Sequence, residues 1–164
     1  DRIREAVFNR LEARELISNS AVLDLYAGTG ALALEAMSRG AAMAMLVEKD
    51  GKAAAVCIQN SNTIQRALDK QGIEVFVKTI NKSVGAFLTA DSAEYDLVFI
   101  DPPYEIDNQQ VEAELEALLP RLSKGAVVIV ERSSRTEDLN FPAGYDFEEK
   151  KNYGDTDVNW LSKN

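Results

Sequence analysis

The sequence predicts an α/β fold, a doubly wound and mostly parallel sheet with helices on both faces and an antiparallel hairpin at its C-terminal end. Three observations carry this. Short apolar runs alternate with stretches of helical period, the order in which parallel strands and their crossover helices follow one another. The middle runs, at 21–26, 95–100 and 126–130, are apolar on both faces, as strands covered by helices on either side are. From Tyr145 onward the pattern changes to alternation around Asn152-Tyr153-Gly154-Asp155, which reads as two antiparallel strands and their turn.

Taken in order, Ile3, Val7 and Leu11 with Ala6 recur at helical spacing, so residues 3–17 are expected as an amphipathic helix with Arg2, Arg4, Arg10 and Arg14 off its apolar stripe. Residues 21–26 form the first strand, Ala27-Gly28-Thr29-Gly30 a tight turn, and the helix that follows runs to Arg39 and stops at Gly40. Residues 44–47 are the second strand, ending at Glu48-Lys49-Asp50, and a long helix over 52–70 returns the chain. A third strand is expected over 73–79 and a short helix over 84–88. The fourth strand, 95–100, runs into Asp101-Pro102-Pro103-Tyr104, where two prolines must stop it. A helix over 109–122 carries Val111, Leu115, Leu118 and Leu119 on one stripe, and Gly125 precedes the fifth strand.

Composition narrows the chemistry. A chain of 164 residues, 46% hydrophobic, fits one domain, 1–164, with its own core. It contains no histidine and one cysteine, Cys57, so internal disulfides, imidazole bases and cysteine-rich metal sites are excluded. Carboxylates, hydroxyls and backbone groups remain as the catalytic repertoire, and no metal is expected. Neither a 20-residue apolar span nor a signal pattern is present, which predicts a cytoplasmic protein with no membrane partner. The net charge of −9 argues against a protein that merely coats nucleic acid. Because the chain opens inside a helical pattern, a short N-terminal segment ahead of Asp1 is expected in the intact protein.

In a doubly wound sheet ligands sit beyond the carboxyl ends of the strands, so residues just past each strand carry the information. Gly28 and Gly30 let the backbone turn sharply and approach a ligand closely. The run 28–33 also fits the Gly-x-Gly-x-x-Gly/Ala pattern of dinucleotide binding, with Glu48 at about the spacing of a ribose-binding acid. Up to that point a nicotinamide-dependent oxidoreductase remains open. Asp24 separates the readings, since a carboxylate at the end of the first strand suits a cationic amino-acid ligand and repels a pyrophosphate.

Asp101-Pro102-Pro103-Tyr104 is the more specific motif. Its two prolines remove two amide donors and leave carbonyl oxygens and the Asp101 carboxylate as a cluster of acceptors, which suits an NH2 group. Tyr104 adds a flat face on which an extruded base could stack. Blander readings attach to other residues: Cys57 as a small core residue, Asn60 as a structural hydrogen bonder, the Glu112, Glu114 and Glu116 run as a solvated face, and Trp160 with Val158 closing the core under the hairpin.

Residues 22–30 together with Asp101-Pro102-Pro103-Tyr104 resemble the methyltransferases that modify exocyclic amines of adenine, cytosine or guanine. More narrowly, residues 1–9 (DRIREAVFN), 30–36 (GALALEA) and 153–156 (YGDT) are similar to bacterial small-subunit (16S) ribosomal RNA guanine-N2 methyltransferases of the RsmD type, and the similarity spans nearly the whole chain. The resemblance implies a seven-stranded class I methyltransferase fold, Rossmann-like, with S-adenosylmethionine as cofactor. It implies a cofactor wall of Asp24, Tyr26, Gly28, Gly30, Glu48, Lys49 and Asp101, with Glu48 on the ribose hydroxyls. Ser83, followed by Val84, occupies the place where relatives carry a longer acidic or amide side chain toward the adenine. Asp101, Pro102 and Tyr104 are implied as catalytic, ribosomal RNA within a small-subunit particle as partner, and a monomer as the working form. A DNA or protein-glutamine amino-methyltransferase and a non-catalytic RNA-binding module are the other open readings.

Overall fold

A computed structural model of the chain describes residues 1–90 and 92–164. Its elements are α1 (Arg2–Ala13), β1 (Ala21–Asp24), α2 (Ala31–Ser38), β2 (Met43–Val47), α3 (Gly51–Lys70), β3 (Phe76–Ile80), α4 (Val84–Ala90), β4 (Tyr95–Ile100), α5 (Asn108–Leu118), β5 (Leu122–Ser133), β6 (Tyr145–Tyr153) and β7 (Thr156–Lys163). The strands form one sheet in the order β3-β2-β1-β4-β5-β7-β6. The first five are parallel, and β7 enters antiparallel between β5 and β6.

Alternation along the strands explains both cores. On β4, Leu97 and Phe99 join the cluster under α1, α2 and α3, while Val98 and Ile100 join the cluster under α4 and α5. On β5, Val127 and Ile129 face the first cluster, and Val128 and Val130 the second. Phe8, fully buried on α1, packs its ring 5.5 Å from that of Phe99. Trp160 and Val158 close the first core from β7, as expected, and the Arg10 guanidinium lies 4.3 Å above the Trp160 ring. Arg10 also pairs with Glu149 and Arg14 with Glu148, so these two cations fasten α1 to β6.

Among the boundaries that differ from the sequence reading, four do so for a clear local reason. The opening helix ends at Ala13 because Glu15 takes a left-handed conformation, φ 57°, and the Leu16 amide donates to the Leu11 carbonyl. Residues 73–75 are not strand, since the Ile73 amide donates back to Leu68 at the end of α3. The helix expected over 109–122 ends at Leu118, where Pro120 turns the chain into one 3₁₀ turn. β5 begins at Leu122, and its extra residues around Gly125, φ 79°, are absorbed as an irregularity opposite Tyr95 and Leu97 before the apolar stretch.

Removing the ring that joins α1 to the sheet should expose the dependence of the first core on this helix. Phe8→Ala is expected to cost about 3–5 kcal/mol in denaturant unfolding; a cost below about 1 kcal/mol would show that α1 packs independently of Phe99.

Candidate functional site

Past the end of β1 the backbone stays stitched into the sheet before it turns. The Leu25 amide donates to the Phe99 carbonyl (3.1 Å) and the Ala27 amide to the Val47 carbonyl (2.9 Å), so the chain remains wedged between β4 and β2. It then reverses through Gly28, φ 58°, and Gly30, φ 96°. A side chain on Gly30 would meet Leu34, Leu46 and Cys57 at 3.1–3.2 Å, so this glycine lets the turn sit down on the core. A side chain on Gly28 would meet nothing within 4 Å and would project into open space. Asn60 donates to the Thr29 carbonyl (2.9 Å) and holds the turn from α3, the structural role expected of it.

Two carboxylates hold the turn from below. Glu48, just past β2, accepts the Gly28 amide (2.9 Å) and the Asp50 amide (2.8 Å). Asp24, only 1% exposed, accepts the Ala33 amide at the start of α2 (3.3 Å) through one oxygen, and its other oxygen, Oδ1, has no partner among the described residues. Burial pushes the Asp24 carboxyl from its ordinary 3.8 up to about 7; the Ala33 amide opposes this and the nearby Asp101 charge adds to it.

The turn forms one wall of a cleft of about 640 Å³ at the carboxyl edge of the sheet. Tyr26, Gly28, Glu48, Lys49, Ser83, Val84, Asp101 and Pro102 line it, so the structure brings together most of the residues the sequence singles out. Asp24 and Gly30 lie beneath this surface. Tyr104 does not line the cleft: it is 89% exposed at the outer end of its turn. Ser83 lines the cleft while its hydroxyl oxygen accepts the Ala86 amide (3.2 Å), capping the first turn of α4. Asp101 keeps solvent access at the cleft wall, yet desolvation still raises its carboxyl above the usual range.

Several groups escaped the sequence reading. Glu114, expected on a solvated face, is buried, and both its oxygens accept the Tyr26 hydroxyl, at 2.6 and 2.8 Å. Its position three residues after Val111 and four before Leu118 puts it on the edge of the apolar stripe, a signal the run of glutamates masked. Gln110 donates to Glu114 (3.3 Å) and lines the cleft with Ile106. Arg132, buried at the end of β5, donates to the Ile106 carbonyl (2.9 Å) and the Asn108 side chain (2.8 and 3.1 Å), and the Ile106 amide donates to Pro103 (3.0 Å). The loop after Asp101 is thereby tied down on both sides. Glu131, one residue before Arg132, is desolvated and feels the charges of Asp101 and Asp24, which together push its carboxyl up to about 7.

Chemically the cleft suits a cation with a polar body. Carboxylates at the ends of β1, β2 and β4 make its floor and wall negative. The same arrangement disfavours a pyrophosphate, because the amides that would bind it at the turn and the helix start already bond to Glu48 and Asp24. Cys57 is buried, and desolvation raises its thiol, so it offers no thiolate nucleophile.

Residues 1–162 match the family model described as conserved hypothetical protein 95. The ribosomal RNA small subunit methyltransferase D of Escherichia coli is 36% identical over 104 residues, a match covering 63% of this chain and 48% of that protein. The chain therefore spans about half the length of this curated relative. A solved E. coli structure, yhhF, superposes with a TM-score of 0.84 at 30% identity, covering 99% of this chain and 86% of that one. The Synechocystis magnesium protoporphyrin IX methyltransferase, solved with S-adenosylmethionine bound, superposes with a TM-score of 0.72 over 99% of this chain and 79% of that one. At 12% identity that likeness concerns the fold alone, and the fold is that of class I methyltransferases.

Ionisation of Asp24 should weaken the ligand-free protein. A carboxyl whose pKa folding raises from 3.8 to about 7 contributes stability that is complete below pH 3.8 and lost as pH rises through about 7. Asp24→Asn is therefore expected to lessen the fall in urea midpoint between pH 5.5 and pH 8 seen for the parent chain. Parallel pH profiles for the two proteins would show that Asp24 ionises as freely folded as unfolded.

Proposed function

The chain belongs to the family described as conserved hypothetical protein 95, and from that membership and its acid-lined cleft we propose that it transfers a methyl group from S-adenosylmethionine to the exocyclic N2 amine of a guanine in small-subunit ribosomal RNA. One observation carries the reading: the glycine turn with Glu48 and the acceptor motif of Asp101, Pro102 and Pro103 line the same cleft. The name of the E. coli relative supports the choice of ribosomal RNA.

The residues present fit the proposed cofactor. Gly28 has open space where a side chain would otherwise fill the cleft, and Glu48 keeps acceptor capacity beyond its two amide bonds, enough for ribose hydroxyls. The Asp24 and Asp101 carboxylates favour a cationic methionine part, and the unpartnered Asp24 oxygen has capacity for one more donor, direct or through water. Val84 and Ser83 offer an apolar side and a hydroxyl to the adenine, and Lys49 borders the same end. When bound, S-adenosylmethionine supplies an electrophilic sulfonium methyl group.

The chain's own work is positioning. A base amine is a poor nucleophile because its lone pair is delocalised into the ring; acceptance of its hydrogens by the Asp101 carboxylate and the Pro102 carbonyl localises that lone pair and fixes its direction. Pro102 and Pro103 bring no competing amide donors, and Arg132 holds the following loop through Ile106. Tyr104, exposed at the rim, presents a ring on which the extruded base can stack. The proton released after transfer goes to Asp101 or to water. No covalent bond to the enzyme is required, which agrees with a chain that has no histidine and whose thiol is buried.

Calorimetry should detect S-adenosylmethionine binding and none of NAD. With tritiated methyl donor and small ribosomal particles from cells lacking the activity, nucleoside analysis should place the label in N2-methylguanosine. Asp101→Ala should lower transfer by about 100-fold or more and weaken cofactor binding by a much smaller factor, at most about tenfold or 1.4 kcal/mol. Unchanged turnover in that variant would remove Asp101 from the mechanism, and NAD binding would overturn the cofactor.

A further inference from the structure

The strand order sets Asp101 between two neighbours. On one side lie the turn after β1 and, beyond it, Glu48 after β2; on the other lies the end of β5. Ile100 is paired with Val130 in the parallel register, so the next residues on the two strands, Asp101 and Glu131, come side by side. Both leave the sheet on the face of Phe99 and Ile129, by the two-residue alternation of strands. Asp24 leaves β1 on that face too, two residues after Val22.

Glu131 is half-buried, and no described residue donates a hydrogen bond to its carboxylate. Neighbouring Asp24 has an unpartnered oxygen although it is 1% exposed. Three carboxylates thus share one face of the sheet edge, and the protein itself supplies too few donors to satisfy them. Such an arrangement weakens the fold and marks a place where donors arrive with a ligand. Donors belonging to the methyl acceptor must come from the β5 side of Asp101, because the cofactor cleft occupies the other.

Resting on the methyl-transfer reading above, we propose that Glu131 reads the base edge beside the amine held by Asp101. It accepts the N1–H of guanine and so selects guanine over adenine. Guanine carries its N2 amine and its N1–H as adjacent donors, which a carboxylate can accept together. Adenine has an acceptor at N1, next to its amine, and a carboxylate there meets a lone pair instead of a hydrogen. Glu131 makes the same distinction against any base that has the amine but lacks the neighbouring N–H.

The test uses the whole chain and small-subunit particles reconstituted with RNA that carries either guanosine or 2-aminopurine nucleoside at the position the parent protein methylates. 2-Aminopurine keeps the N2 amine and replaces N1–H by an acceptor. The parent chain is expected to methylate guanosine about 10–100 times faster than 2-aminopurine, the range one base-edge contact pair provides. Glu131→Gln should lose a similar factor on guanosine and bring the ratio between the two bases close to one, because an amide can donate to the N1 acceptor. Cofactor affinity should stay within about threefold and the unfolding midpoint should hold or rise, since a desolvated charge is removed. Equal guanosine rates for parent and Glu131→Gln, or an unchanged base ratio, would overturn the role while leaving the methyltransferase reading in place. A fall in the unfolding midpoint would make Glu131 structural and overturn it too. A parent chain that transfers no methyl group to either RNA would sink the underlying reading and this role with it.

Discussion

Everything at the carboxyl edge of this sheet depends on carboxylates that hold backbone amides. Glu48 accepts the Gly28 and Asp50 amides, and Asp24 accepts the Ala33 amide. Between them they fix the exit from β1, the start of α2 and the start of α3. An apolar residue could fill the same volume, but it would leave these amides unmatched, a loss of about 1–3 kcal/mol where the amide is buried. The solution carries its own cost, because the same carboxylates sit partly out of water beside one another and beside Asp101. A cation placed in the cleft relieves that cost. The fold is thereby most comfortable with a positively charged occupant, which ties the backbone turn and the electrostatics of binding to one set of atoms.

The second support lies under the acceptor motif. Asp101, Pro102 and Pro103 cannot be anchored through their own amides in the ordinary way, since two of the three have none. Anchoring comes from outside the motif: the Arg132 guanidinium grips Ile106 and Asn108, and Asn108 donates to the Glu137 carbonyl (2.7 Å). Tyr26, Glu114 and Gln110 form a polar chain from the cleft into α5, buried at Glu114. Fully satisfied networks of this kind rigidify the groups they border.

Much of this was legible in the sequence, and for identifiable reasons. The two-sided apolar strands β1 and β4 and the alternation after Tyr145 predict the parallel sheet and its terminal hairpin, because burial on two faces and burial on one leave different patterns. Glu48 and Asp101 stand out because each directly follows an apolar strand, and Asp24 because it is a carboxylate within the end of one. Glu131 directly follows the apolar run 126–130, so the same rule marks it, although β5 itself continues to Ser133. The positions that escaped depend on contacts distant in sequence: Arg132 reaches α5, and Tyr26 meets Glu114 across 88 residues. Tyr104 illustrates the opposite case. Its motif predicts a place beside the reacting groups, but the prolines carry it to the rim, where the ring stands in solvent.

The desolvated Asp24 carboxyl at the end of β1 takes up charge when a cationic ligand arrives. Proton linkage tests it directly. S-adenosylmethionine should be titrated into the protein near pH 6.5 in two buffers of different ionisation enthalpy. Net proton release should appear as a buffer-dependent heat, because Asp24, whose carboxyl burial raises to about 7, loses its proton as the cation binds. Buffer-independent heats, or proton uptake, would contradict it and show that the cleft binds its ligand without engaging this acid.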